Sequence, residues 1–108
     1  MEEEILHLYQ EPAIGASYTN TYGEENISNL LDKYRSLDKE GMQEMMKMVV
    51  NYSQSTDLAT SFVSVGVLHA LGQDEGVAEA YSWANTQEDS ERIINHFEIG
   101  KSVADYFS

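Results

Sequence analysis

The sequence predicts an all-α fold. It reads as a compact bundle of five or six short helices around a central apolar helix at about 57–71, in a single domain over 1–108. Three observations carry this. One proline, Pro12, in 108 residues leaves nearly the whole backbone free to close helical hydrogen bonds. From Glu24 onward, apolar residues recur at i, i+3, i+4 and i+7. The chain has no Asn-Gly or Asp-Gly turn, and no clean two-residue alternation outside its first loop. At 42 % apolar residues it carries enough side-chain surface to build a core, which argues against disorder.

Residues Glu2 to Tyr9 form a short helix with Ile5, Leu8 and Tyr9 turned inward. Residues 11–23 hold Pro12, Gly15, Ser17, Thr19, Asn20, Thr21 and Gly23, and read as a long loop anchored by Tyr18 and Tyr22. Ile27, Leu30, Leu31, Tyr34 and Leu37 mark the next helix. Asp38 is placed to cap the one after it, whose stripe is Met42, Met45, Met46 and Val49 with Val50 beside it. Ser55 or Thr56 is the expected cap of the helix over 57–71, which is apolar on most sides, as a helix in the middle of a bundle must be. Gly72 is the expected left-handed stop. Asp74 is the expected cap of a helix with Val77, Ala80, Tyr81 and Ala84 inward. Thr86 and Asp89 have the spacing of a capping box for the last helix, which carries Ile93, Ile94 and Phe97. Gly100 is the expected kink or end, with Val103, Ala104 and Phe107 packing beyond it. Short connections make neighbouring helices antiparallel.

Tests for chemistry return no catalytic set. Cys is absent, so disulfides, thiolate nucleophiles and thiolate metal sites are excluded. His7, His69 and His96 lie far apart, and none has the i, i+4 setting of a helical zinc site. Glu4 and His7 match one Glu-x-x-His step of a di-iron bundle, but that site needs two such steps and two further carboxylates. No calcium-loop spacing, Gly-x-Ser-x-Gly elbow or phosphate-cradling glycine run is present. The reading is no enzyme, no metal and no cofactor. His69 and His96 read as packing residues. Met42, Met45, Met46 and Met48 read as core, with Met48 off the inward stripe and the one candidate for an adaptable surface.

Charge is the informative feature. Nineteen acids face six bases, for a net charge of −13 and a pI near 4.3. The excess is a net −6 in residues 1–54 and −7 in 55–108, so it is not an acidic tail. No Lys or Arg occurs between Lys47 and Arg92, an interval that holds Asp57, Asp74, Glu75, Glu79, Glu88, Asp89 and Glu91. On the helix that begins near residue 74, a 100° step puts Glu75 and Glu79 outward and Trp83 next along the same row but on the flank, where folding down onto the bundle is its bland account. A Trp bordering an acidic row has the composition of a binding hot spot for a basic protein. The candidate partner-binding residues are therefore Asp74, Glu75, Glu79, Trp83, Glu88, Asp89 and Glu91. Carboxylates near helix N-termini also answer the helix dipole, which is the bland account of several of them. An acidic exterior is repelled by phosphate backbones and anionic lipid, so neither nucleic acid nor a membrane is an expected direct partner. The opening Met1-Glu2-Glu3-Glu4 is the opposite of a basic signal-peptide start, and no apolar run is long enough to cross about 30 Å of bilayer, so the expected setting is cytoplasmic.

In size, acidity, absent Cys and helical build, the chain resembles the small immunity proteins of bacterial toxin systems, of the contact-dependent growth inhibition and colicin types. The resemblance spans the whole chain, is one of composition, and carries over no individual residue. It implies a cytoplasmic, non-catalytic inhibitor that binds a basic partner, a toxin nuclease domain, and neutralises it. Two alternatives stay open: a phage-type nucleic-acid mimic directed at a host defence system, and a helical adaptor whose acidity confers only solubility. Ala70-Leu71-Gly72 followed by Gly76-Val77, Ala80 and Trp83-Ala84 also resembles one Sel1-like hairpin, and one copy falls short of the three or so repeats that a solenoid needs.

Overall fold

A computed structural model describes residues 1–107. The order is α1 (Glu2–Gln10), α2 (Glu24–Ser36), α3 (Lys39–Tyr52), α4 (Leu58–Ala70), α5 (Asp74–Asn85) and α6 (Ser90–Ala104), with one 3₁₀ turn at Tyr18–Asn20 in the first loop. No strand occurs among the described residues. The Cα radius of gyration is 12.7 Å, against roughly 13 Å for one compact body of this length. No helix among the described residues is long and apolar enough to cross a membrane.

Every residue from Ser61 to Leu68 is buried. Such a run has no outer face, so α4 must be covered on several sides. It packs most extensively on α6 and also meets α2, α3 and α5. The α4–α6 crossing is close because two glycines face each other across it. A Cβ on Gly100 would lie 2.5 Å from the Phe62 carbonyl oxygen, and one on Gly66 would lie 3.1 Å from the Gly100 carbonyl oxygen. Gly100 therefore neither ends nor marks the limit of α6; it lies within the helix, buried, where α4 needs its missing side chain. Around this crossing Ile5, Ile27, Leu30, Leu31, Met45, Val49, Leu68, Ala80, Ala84 and Phe97 close a continuous core.

Helix ends show what periodicity leaves undetermined. Asp38 caps α3 by accepting from Gly41 N at 2.8 Å. For α4 the cap is Asp57, accepting from Thr60 N at 3.2 Å, and not Ser55 or Thr56; Ser55 instead accepts from Asp57 N at 3.1 Å. Asp74 is the first residue inside α5, and Gln73 holds the cap position. The box expected of Thr86 and Asp89 does not form. Thr86 Oγ1 turns back to donate to Trp83 O at 2.6 Å, and the Asp89 side chain makes no cap hydrogen bond. The stop at Gly72 is as the sequence predicts. Its φ is +67°, Gly72 N donates to His69 O, and Gln73 N donates to Leu68 O, which together make a Schellman motif.

The 11–23 loop is held by asparagines and not by its tyrosines. Tyr18 is 92 % exposed and Tyr22 50 %. Asn20 and Asn26 are completely buried. Asn26 Nδ2 donates to Leu8 O at 2.9 Å and Pro12 O at 3.0 Å, Asn20 Nδ2 donates to Asn26 Oδ1 at 2.9 Å, and Asn20 Oδ1 accepts from Glu25 N at 2.9 Å. The pair stitches the end of α1, the loop and the start of α2 together. Of the methionines, Met45 is in the core. Met46 and Met48 are half-buried against it, so Met48 is not a free surface residue.

Candidate partner-binding site

The turn from α5 to α6 and the start of α4 enclose a cleft of about 560 Å³. Trp83 comes from the last turn of α5, Glu88 and Asp89 from the connection, Arg92 and Ile93 from the first turn of α6, and Thr56, Asp57 and Leu58 from the start of α4. Trp83 is half-buried and rests on the core, so its ring is held by packing while part of it stays open to the cleft. A shallower depression of about 490 Å³ continues past the turn. It shares Glu88, Asp89 and Arg92 with the first and adds Glu91, Asn95 and His96. On its other side the cleft borders a groove of about 540 Å³ through their common residue, Asp57. That groove is mixed: Leu6, Ile14 and Ala59 line it together with Gln10, Ser55 and Thr60.

Four of the seven sequence-predicted residues, Trp83, Glu88, Asp89 and Glu91, thus meet around one turn. Asp74, Glu75 and Glu79 line neither depression. All three are exposed on α5, and Glu75 and Glu79 lie on the i, i+4 row that leads to Trp83. Steps on such a row are about 5–6 Å. Two contributors were not singled out from sequence. Asp57 reaches the cleft because α4 starts against the α5–α6 turn, a tertiary contact no local pattern encodes. Arg92 is the one base in either depression.

Electrostatically the site is under-compensated. Among the described residues the only ion pair is Lys33–Glu4, at 2.7 Å, joining α2 to α1 far along the sequence from the cleft. That ammonium holds the Glu4 carboxyl below its ordinary value. Arg92 makes no ion pair with Glu88, Asp89 or Asp57, although it shares the cleft with them. Asp57 is partly committed, because its carboxylate accepts from the Thr60 amide and hydroxyl. Glu88, Asp89 and Glu91 are exposed and have no such commitment. What converges is an aromatic side chain, several anionic oxygens and one cation. That set can bind a guanidinium or ammonium through the ring and the carboxylates.

Other titratable groups serve packing. His96 Nδ1 lies 2.8 Å from Arg92 O, one turn back along α6, and its ring is 6.0 Å from that of Phe62. Tyr9 Oη lies 2.6 Å from Ser64 Oγ. Ser64 donates to Thr60 O at 2.8 Å, so the tyrosine is the donor of this buried pair. Among the described residues, no three His, Asp or Glu side chains are grouped to hold a metal ion. No protein-family profile, curated protein or solved structure matches the chain.

Proposed function

We propose that this chain is an acidic inhibitor that binds a basic protein and neutralises it, as an immunity protein does a toxin nuclease domain, in the cytoplasm and without catalysis of its own. The observation that carries this reading is the cleft in which Trp83 is flanked by Glu88, Asp89 and Asp57, in a chain whose nineteen acids make one ion pair among the described residues. Retained like charge destabilises the compact state. A cationic partner turns that cost into association rate and partner selection. Carboxylates would occupy the groove that phosphates use on the partner, and Trp83 would supply a rigid apolar anchor. The row Glu75–Glu79–Trp83 would extend the footprint along α5, and the mixed groove beyond Asp57, where Leu6, Ile14 and Ala59 lie beside Gln10, Ser55 and Thr60, would give the interface a less charged part.

Trp83 is the chain's single tryptophan, so its fluorescence reports on this site alone. The test is capture of the partner from the native cell at low salt, followed by titration against the purified pair. The expected result is a basic protein whose association rate falls steeply with added salt and whose binding shifts Trp83 emission. Glu88→Lys with Asp89→Lys should weaken it by tenfold or more. Equal binding by that variant, or a binding strength indifferent to salt, overturns the reading. A nucleic-acid-binding defence protein in place of a toxin would favour the mimic reading over the immunity one.

A further inference from the structure

His69 occupies the last turn of α4, one residue before the helix ends. Its Nε2 is the one buried side-chain polar atom without a hydrogen-bond partner among the described residues. Native structures hold few such atoms, and each asks for a reason. The charges that act on the ring come from outside its own helix: Lys101 and Glu98 from α6, Asp105 just past the end of α6, and Asp74 from the first position of α5. The turn behind it is the Schellman motif, in which Gly72 N donates to the His69 carbonyl. Glu98 is also the carboxylate that accepts from Tyr81 Oη at 2.6 Å, so it ties α6 to α5.

We propose that His69 is an acid-released latch on the α4–α5 turn. With one ring proton, the imidazole stays tucked in and the turn closes on α6. A second ring proton makes both nitrogens donors, and the Nε2 donor has no acceptor inside. Asp74, Glu98 and Asp105 offer acceptors outside, where an imidazolium is also solvated. Protonation therefore favours the arrangement in which the ring has swung out and the start of α5 has loosened.

The direction of titration agrees. Burial is the largest influence and holds the imidazole below its ordinary pKa; Lys101 adds to it, while Glu98, Asp105 and Asp74 pull the other way. A lowered folded-state pKa means the opened chain takes up the proton first as pH falls. The stability due to His69 is complete above its ordinary value of 6.5 and is lost as pH falls through the folded value. Because α5 carries Glu75, Glu79 and Trp83, acidification would also slacken the partner-binding row; this consequence rests on the function proposed above, whereas the latch does not.

The test uses the full chain alone. Amide hydrogen exchange, corrected for the intrinsic effect of pH, is compared at pH 7.5 and 5.5 for the wild type and for His69→Phe. In the wild type, amides of Val77–Ala84 should lose protection at the lower pH relative to those of α2, by up to about tenfold for each pH unit between the two pKa values. In His69→Phe that difference should vanish. His7 and His96 are present in both proteins, so their contributions cancel. An equal pH response in both overturns the latch. If His69→Phe does not fold, His69→Gln replaces it. In addition, an NMR titration in which the His69 ring protonates at or above 6.5 overturns the proposal without any variant.

Discussion

At the scale of single residues, the side chains that matter most here are the ones with the least room for exchange. Asn26 sits with no exposure among the Leu8 and Pro12 carbonyls and the Asn20 amide. Asn26→Ala removes a partner from each of them in a place water does not reach. The expected loss is about 1–3 kcal/mol, read from the urea midpoint at constant slope. Gly100→Ala sets two effects against each other. An alanine in an exposed helix interior gains about 1 kcal/mol over glycine. Here its Cβ would meet the Phe62 carbonyl oxygen at 2.5 Å, a backbone atom that cannot turn aside. Overpacking of this kind costs roughly 1–3 kcal/mol, so the sign reverses and unfolding should occur at lower urea. Tyr9 makes a third case. Burial raises its pKa, so the unfolded chain ionises first on the alkaline side. The stability it lends is complete below the ordinary value of 10.0 and is lost as pH rises through the folded value. Tyr9→Phe should flatten that alkaline loss.

At the scale of elements, the caps separate structure from recognition. Asp38 and Asp57 each accept from an amide in the first turn of their helices, yet only Asp57 faces the Trp83 cleft. Asp38→Ala should cost about 1 kcal/mol of stability and leave partner binding alone. Asp57→Asn keeps a competent cap and deletes a charge. Its melting temperature should stay close to that of the wild type while association with a basic partner slows. A variant that melts early and binds normally would assign Asp57 to the helix and not to the site. The α5–α6 connection illustrates a related point. Thr86 closes the end of α5 instead of opening α6, which leaves the Asp89 carboxylate without a cap bond at the lip of the cleft.

Across the whole molecule, the net charge of −13 acts against compactness. Since one ion pair is formed among the described residues, most of this repulsion is between exposed groups and is open to screening. At about 0.15 M salt the screening length is near 8 Å. The melting temperature should rise between 10 mM and 300 mM sodium chloride. A flat response would show that the acids are too far apart to repel, and would remove the physical cost on which the argument for a cationic partner rests. Low-pH behaviour combines two opposing trends: carboxylate protonation relieves repulsion, whereas proton uptake by His69 loosens α5. The His69→Phe variant separates them.

Apolar spacing was enough to place five or six helices, where the structure has six, because burial of a stripe every 3.6 residues leaves its mark on sequence whatever the neighbours are. Ile27, Leu30 and Leu31, then Met45 and Val49, lie inside as that spacing requires, while the apolar run of α4 is buried without a break from Ser61 to Leu68. The acidic excess and the outward pair Glu75 and Glu79 were equally legible, since both depend on composition and helical geometry alone; that Trp83, next on the row, folds half-buried onto the core was decided by packing. Tertiary structure decided the rest. It chose Asn20 and Asn26 over two tyrosines as loop anchors, because satisfying buried carbonyls outweighs enclosing a ring that water tolerates well. It turned Gly100 from an expected kink or helix end into a crossing point, because the need for a small residue came from Phe62 on another helix. It brought Asp57 to Trp83 across 26 positions of chain, because the cleft exists only where α4 begins against the α5–α6 turn. Local interactions write themselves into nearby residues; contacts between distant segments depend on how whole helices pack, and no short stretch of sequence holds that information.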